Sequence, residues 1–324
     1  IPVLVTPKGE VIRDGGAIIE HFESAHGRLF QPSTAKQQIV STLFDLVGTS
    51  GLLRPAMHYR WNYLEENEEF LHYHFLHSQR EHPEREAKTH YMMSKMQTAG
   101  VLFGVTEATM PLVETLYLEF LEALNQHLSE MPYLLGWKPS IGDFGLLATM
   151  YAHLGRDPAP LRIMQQRAVR VARWVERMNR ADQDVPEFFN PGDDYLADDR
   201  IPETLMTVLR VLAEDLVPET RATAGVINQW LAANQPEPGT PAQGLLAQRL
   251  FGMAEFSVRG QSISAVAQSY RFVILQRLQQ QYMQLTTAQQ RDVLALLQCC
   301  DLDPLLSIKL DRQLGWLDNQ DIWL

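Results

Sequence analysis

The stretch Tyr133-Leu-Leu-Gly-Trp-Lys-Pro-Ser-Ile-Gly-Asp143 decides the fold of the middle of this 324-residue chain. Ser140 and Asp143 have the spacing of a reciprocal N-cap. In such a cap the hydroxyl accepts a backbone N–H of the first helical turn, and the carboxylate accepts the N–H of the capping residue. An acidic group in the first turn also lies at the positive end of the helix dipole. The pattern predicts a helix that begins directly after Ser140.

The residues after this cap predict that the helix is buried on most of its sides. Apolar side chains recur at helical spacing with few polar side chains between them. They are Phe144, Leu147, Ala148, Tyr151 and Ala152. We therefore expect this helix at the centre of a helical bundle.

Composition excludes several classes of protein. The chain is 45% hydrophobic and 21% charged, which is typical of soluble globular proteins. Its formal net charge of −11 argues against a nucleic-acid or an anionic membrane partner, because both favour basic surfaces. Cys299 and Cys300 are adjacent and cannot form a disulfide framework, which favours a reducing, cytoplasmic compartment. No apolar run approaches the ~20 residues that span a bilayer.

The first 30 residues predict a ββα unit. Val3-Leu-Val5 and Glu10-Val-Ile-Arg13 are short β-rich runs joined by a Pro/Gly turn, as in an antiparallel hairpin. A helix is expected to begin near Asp14 and to stop near Gly27. The chain opens on a strand-like run with no Met, so we expect the first half of this unit's domain to be missing.

Helical periodicity continues through most of the remaining chain. It extends from residue 33 to about 186, where an acidic, turn-rich stretch at 190–199 marks a boundary. Further helices are expected at about 203–215, 218–233, 262–284 and 287–300. The sequence thus predicts a mainly α protein with three parts, at residues 1–30, 31–190 and 191–324.

Two motifs resemble the cytosolic glutathione transferase family. The pattern Gly-x-x-Pro-Ser-x-x-Asp, ending at Asp143, is similar to the capping box of the family's helical C-terminal domain. Ile1-Pro-Val-Leu4 and Gly9-Glu-Val-Ile-Arg-Asp14 are similar to the second half of its thioredoxin-like domain. The resemblance implies a partial thioredoxin-like ββα unit, a transferase-type all-helical domain and a helical extension, of a kind that large bacterial members can carry.

The same resemblance implies a glutathione site at Ile1, Pro2, Asp14 and Gly15. In the family, the backbone beside a cis proline at the position of Pro2 pairs with the cysteinyl backbone of glutathione. The acidic residue and the amides at the helix start hold the γ-glutamyl group. Gly15 stands where the family has a serine. The alternative is that Pro2 only shapes a turn and Asp14 only caps a helix.

The chemistry that the family implies is attack of the glutathione thiolate on a small hydrophobic electrophile, with glutathione as the co-substrate. The residue that activates the thiol would lie before Ile1, so no catalytic residue is assigned. One alternative is a non-enzymatic binding or structural protein derived from the family. The other is a glutathione-dependent lyase, isomerase or dehalogenase, because fold does not choose the reaction. The family also implies a homodimer.

The segment around His58, Tyr59 and Trp61 is the predicted pocket for the second substrate. Aromatic side chains there could stack on a hydrophobic electrophile. The alternative is ordinary packing between helices, which is the commoner role of aromatic residues at helical spacing.

Three histidines, His72, His74 and His77, raise the question of a metal site. Their offsets of two and five scatter these side chains around a helix, and only His74 and His77 share a face. No cysteine or carboxylate at ligand spacing completes a set. The sequence therefore predicts a solvated helix face and no metal.

Overall fold

A computed structural model of the chain describes residues 2–180, 184–242 and 251–324. The predicted fold class is confirmed, because the protein is mainly α-helical and begins with a small ββα unit. The helices are α1 (Gly15–Ala25), α2 (Ala35–Leu46), α3 (Leu53–Trp61), α4 (Leu64–His77), α5 (Arg85–Ala99), α6 (Met110–His127), α7 (Ile141–Thr149), α8 (Pro158–Arg167), α9 (Val169–Met178), α10 (Glu203–Asn234), α11 (Tyr270–Gln284) and α12 (Thr287–Cys299). The strands are β1 (Val3–Val5), β2 (Val11–Arg13), β3 (Met253–Val258), β4 (Gln261–Val266), β5 (Leu314–Leu317) and β6 (Gln320–Trp323).

The predicted cap of α7 is present and fully buried. The Ser140 N–H and the Ser140 hydroxyl both donate to Asp143 Oδ2, at 2.8 Å each, and the Asp143 N–H donates to Ser140 Oγ at 3.4 Å. The other carboxylate oxygen, Oδ1, accepts the Leu134 N–H and the Trp174 indole N–H, both at 3.1 Å. Asp143 thus connects α7 to the preceding loop and to α9, in addition to capping its own helix.

Glycines allow α7 to approach α2 closely. A Cβ on Gly145 would lie 2.5 Å from Asp45 Cα, and one on Gly142 would lie 2.7 Å from the Ser41 carbonyl oxygen. A Cβ on Gly48, in the π-helical turn Val47–Gly51 that follows α2, would lie 2.0 Å from the Gly145 carbonyl oxygen. The backbones of the two helices are therefore in direct contact.

Helix α10 differs from the prediction of two helices separated at Pro218. It continues without a break from Glu203 to Asn234, although a proline inside a helix removes one hydrogen bond and costs about 3 kcal/mol. Val217 and Glu219, which flank the proline, are both buried. Burial of the helix against its neighbours offsets the cost of Pro218. Sequence periodicity does not reveal this burial, so it predicted a break at the proline.

A β-hairpin replaces the first part of the helix predicted at 262–284. Strands β3 and β4 pair in register from Met253 opposite Val266 to Val258 opposite Gln261. The two turn residues, Arg259 and Gly260, have φ angles of 50° and 80°, as a two-residue type I′ turn requires. The prediction of a helix was wrong here because the alternating pattern that indicates a strand is short. The longer apolar run of α11 follows it closely and gives a stronger helical signal.

The hydrophobic core runs without interruption from α2 to β6, across the predicted boundary near residue 190. A buried ionic network also crosses this boundary. Arg54 of α3 pairs with Asp215 and donates to Glu219 Oε2 at 3.0 Å, and Arg271 of α11 donates to Glu219 Oε1 at 2.6 Å. The C-terminal segment is therefore packed into the helical bundle.

Candidate functional site

A cavity of about 980 Å³ lies where the N-terminal ββα unit meets α2, α7, α11 and the β5–β6 hairpin. Its volume is at the upper end of the range for small-molecule sites. Apolar side chains on its wall include Ile12, Phe144 and Trp316. The cavity thus combines surfaces from the two ends of the chain and from the central bundle.

Asp14 lines the cavity and has an unusual backbone conformation. Its φ is 90°, a left-handed value that is costly for a residue other than glycine. The conformation lets Oδ1 accept the N–H groups of Gly16 at 2.8 Å and Ala17 at 3.4 Å. The Tyr270 hydroxyl donates to the same oxygen at 3.0 Å. Oδ2 has no hydrogen-bond donor among the described residues.

Gly15 directly follows Asp14 in the sequence and begins α1. Of the first-turn N–H groups of α1, those of Gly16 and Ala17 bind Asp14, whereas the Gly15 N–H has no acceptor within the described part of the chain. A Cβ on Gly15 would lie 3.7 Å from Pro2 Cγ, which is an ordinary contact distance. A serine would therefore fit at this position.

The predicted residues Pro2, Asp14 and Gly15 all line the cavity. The Pro2 carbonyl oxygen accepts the Asp14 N–H at 3.0 Å, which connects the first strand to the start of α1. Ile1, also predicted for this site, lies outside the described residues, and so does the Ile1–Pro2 peptide bond. Asp14 Oδ2 and the Gly15 N–H, which have no hydrogen-bond partner among the described residues, therefore belong to adjacent residues of the cavity lining.

Carboxylates dominate the charged groups of the cavity wall. Asp45 pairs with Arg277, and burial raises the pKa of Asp45 against the opposing effect of this guanidinium. Glu10, Asp14 and Asp318 form no ion pair among the described residues. The wall therefore favours an ammonium group, and a ligand carboxylate is favoured only near Arg277 or the start of α1.

His153 adds a neutral imidazole to the cavity wall. Burial, together with the nearby charges of Arg60 and Arg156, lowers the pKa of His153 to about 3. Its Nδ1 is buried and has no hydrogen-bond partner in the described residues. The ring is uncharged at neutral pH and can accept or donate one hydrogen bond, according to its tautomer.

The C-terminal segment completes the cavity, which sequence analysis did not predict. In the β5–β6 turn, Asn319 Oδ1 accepts the Arg13 N–H at 2.9 Å, and Asn319 Nδ2 donates to the Val11 carbonyl at 3.0 Å. Asp318 and Asn319 have φ angles of 49° and 61°, as in a type I′ turn. The Asp-Asn pair is a local signal for this turn, but no local signal places the turn beside β2.

The predicted second-substrate residues His58, Tyr59 and Trp61 do not line this cavity. All three are buried in the core around α3. His58 Nε2 lies 2.8 Å from Glu114 Oε1, and the Tyr59 ring packs against that of Tyr117 with centroids 5.2 Å apart. Their environment agrees with the alternative of packing between helices.

Comparisons of the chain with models of protein families, with curated proteins and with solved structures give no match. Among the helices that the structure describes, none is both long and apolar enough to cross a bilayer. The function of the protein is therefore inferred from the geometry and charge of the cavity.

Proposed function

We propose that the cavity binds glutathione by its γ-glutamyl end, and that the protein transfers the glutathione thiolate to a small hydrophobic electrophile. The observation that carries the proposal is that two adjacent residues lining the cavity have free polar groups: Asp14 Oδ2 and the Gly15 N–H have no hydrogen-bond partner among the described residues. An α-amino acid group needs both, since its ammonium requires an acceptor and its carboxylate requires a donor.

The start of α1 suits the carboxylate of this group. Backbone N–H groups at a helix N-terminus bind anions, and the helix dipole adds to the attraction. The Asp14 carboxylate, which forms no ion pair among the described residues, attracts the ammonium. The apolar side chains Phe144 and Trp316 provide a surface for a hydrophobic second substrate in the same cavity.

The transfer itself is a nucleophilic substitution. The thiolate sulfur forms a bond to the electrophilic carbon, and the leaving group departs with the electron pair of its bond to that carbon. The thiol proton passes to solvent. The protein would contribute binding and orientation of the two reactants, which raises their effective concentration.

The first test is retention of the full chain on immobilised glutathione and elution by free glutathione. Asp14→Asn removes the charge but keeps a side-chain oxygen that can cap α1, and asparagine tolerates a positive φ. We expect retention of the wild type and at least about tenfold weaker binding of Asp14→Asn, because a hydrogen bond to a charged group is lost. Circular dichroism checks that the helices are unchanged.

Glu10→Gln is the matched control, because Glu10 is an exposed carboxylate of the same cavity, separated from Asp14 and α1 by strand β2. We expect its binding to change by no more than about twofold. Equal binding by wild type and Asp14→Asn would refute the ammonium contact, and no retention of the wild type would refute glutathione binding altogether.

Gly15→Ser is a gain-of-function variant for the same site. The structure has space for the serine Cβ, and the hydroxyl would add a donor beside the free amide. One added hydrogen bond of about 1 kcal/mol would strengthen glutathione binding roughly fivefold. Unchanged or weaker binding would show that the ligand carboxylate does not lie at this position.

The second candidate is a protein that binds the ligand without catalysis. The observation that favours it is the position of Tyr270, whose hydroxyl donates to Asp14 and is therefore not available to a thiolate. Conjugation of glutathione to an activated aryl halide separates the two functions. Turnover that depends on Asp14 would support transfer, whereas binding without turnover would support the non-catalytic function.

A further inference from the structure

Three metal-ligating side chains from two helices converge on one point outside the cavity. His72 lies on α4, and Glu86 and His90 lie on α5. His72 Nε2 is 2.6 Å from Glu86 Oε1, and His90 Nε2 is 3.6 Å from the same oxygen. All three ligand atoms lie within 4.8 Å of one another. None of these residues lines the cavity described above.

The His72 ring nitrogen has a distinctive environment. Its Nε2 atom is buried but has no hydrogen-bond partner among the described residues, since its close approach to Glu86 does not have hydrogen-bond geometry. The His72 and His90 rings lie beside each other with centroids 5.1 Å apart. A buried, unpaired nitrogen facing a carboxylate and a second imidazole has the arrangement of a metal ligand.

The separations suit a tetrahedral zinc ion. Zinc binds imidazole nitrogen and carboxylate oxygen at about 2.0–2.2 Å, so two ligand atoms of a regular tetrahedron lie roughly 3.3–3.5 Å apart. The Glu86 Oε1 atom lies 2.6 Å from His72 Nε2 and 3.6 Å from His90 Nε2, and small side-chain rotations would bring both distances to the tetrahedral value. The i, i+4 spacing of Glu86 and His90 places both on one face of α5.

We propose that His72, Glu86 and His90 bind one zinc ion, which connects α4 to α5 and leaves a fourth coordination position for water. The ligand set of two histidines and one carboxylate with an open position is one that zinc adopts in proteins. All three side chains have exposed surface, with 28%, 56% and 66% exposure, so the ion can enter from solvent. This site replaces the predicted solvated face at His72.

In the sequence, the candidate metal-ligand partners of His72 were His74 and His77 on the same helix. In the structure these two residues bind elsewhere. His74 Nδ1 is 2.9 Å from the Arg156 guanidinium, and His77 Nδ1 is 2.7 Å from the Tyr73 carbonyl oxygen. The partners of His72 come from the next helix, and only the packing of α4 on α5 reveals them.

The test is titration of the chelator-treated full chain with zinc chloride, followed by isothermal calorimetry. We expect one zinc ion per chain and a melting temperature that rises with zinc, because a ligand that binds only the folded state stabilises it. His72→Asn and His90→Asn should each weaken binding by at least about tenfold, since loss of even an outer-shell partner has that effect. Magnesium chloride should not substitute, because imidazole is a poor ligand for magnesium.

His26→Asn is the matched control, because His26 is an exposed histidine at the end of α1, away from this cluster. It should bind zinc as the wild type does. Absence of stoichiometric zinc binding would overturn the proposal. Equal loss of affinity in His26→Asn and His90→Asn would also overturn it, because it would indicate binding by scattered surface histidines. The glutathione-binding test is independent of both outcomes.

Discussion

Asp143 takes part in both the local structure of α7 and its tertiary packing. As an N-cap partner it accepts two donors from Ser140, and as a buried carboxylate it also accepts Leu134 N–H and Trp174 Nε1–H. Burial raises the pKa of Asp143, and these four donors oppose that effect. The side chain therefore has a larger structural role than its capping motif predicts.

The first prediction compares the loss of stability caused by Asp143→Ala with the loss caused by removing a solvent-exposed helix cap. Asp143→Ala leaves several buried donors without acceptors, at about 1–3 kcal/mol each, partly offset by removal of a buried charge. We expect a loss of about 3–4 kcal/mol in the free energy of unfolding, measured with urea. Thr286→Ala removes the exposed capping box of α12 and should cost only about 1 kcal/mol. Equal losses would contradict the larger role of Asp143.

At the scale of elements, the contact between α2 and α7 positions the cavity. Gly145 of α7 lies against Asp45 of α2, and both residues line the cavity wall. Asp45 in turn pairs with Arg277 of α11. The glycine spacing of α7 therefore controls how closely the two helices approach and where this ion pair lies.

The second prediction tests this contact with two glycine-to-alanine changes. Gly145→Ala places a methyl group 2.5 Å from Asp45 Cα and should lower the free energy of unfolding by about 3 kcal/mol through overpacking. Gly225→Ala, in α10, meets no atom within 4 Å and should raise stability by about 0.5–1 kcal/mol. Urea unfolding measures both variants, and the same sign for the two changes would contradict a direct backbone contact.

At the scale of the whole molecule, one core joins segments that sequence analysis divided. The His127 side chain contacts residues on both sides of the predicted boundary near residue 190. Its Nε2 lies 2.9 Å from the Leu134 carbonyl oxygen, and its Nδ1 lies 3.0 Å from Thr204 Oγ1 of α10. Burial lowers the pKa of His127 to about 4, against the effect of its backbone hydrogen bonds. The imidazole is therefore neutral in the folded protein at neutral pH.

The third prediction concerns the pH dependence of stability. A histidine in the unfolded chain binds a proton below about pH 6.5, whereas His127 in the folded protein does so only near pH 4. The unfolded state therefore takes up more protons as the pH falls, and stability is lost. Between pH 7 and pH 5 this one residue should account for about 2 kcal/mol of the loss.

Urea unfolding of wild type and His127→Gln at the two pH values measures this contribution. The loss should be about 2 kcal/mol smaller in His127→Gln, and His82→Gln, at an exposed position, should behave as the wild type.

The continuous core also predicts that the protein unfolds in a single transition. Unfolding curves followed by fluorescence and by circular dichroism should coincide, because the core is continuous. Two separate transitions would show that the segment after residue 190 unfolds alone.

The features that sequence predicted correctly depend on neighbouring residues. The cap from Ser140 to Asp143 spans three residues, and Asp14 caps α1 through N–H groups two and three residues away. The β1–β2 hairpin pairs Leu4 with Ile12 across one short turn. These interactions form within a single element or turn, so residue type and spacing determine them.

Tertiary structure alone decided which distant residues meet. Tyr270 reaches Asp14 across 256 positions, and Asn319 reaches Arg13 across 306. His72 meets its partners only because α4 packs on α5. Such contacts depend on how helix faces pack, and many residues share that packing energy without a local pattern. The sequence by itself therefore determined the cap of α7 and the strands and helix of the ββα unit, whereas packing decided the walls of the cavity and the residues of the proposed zinc site.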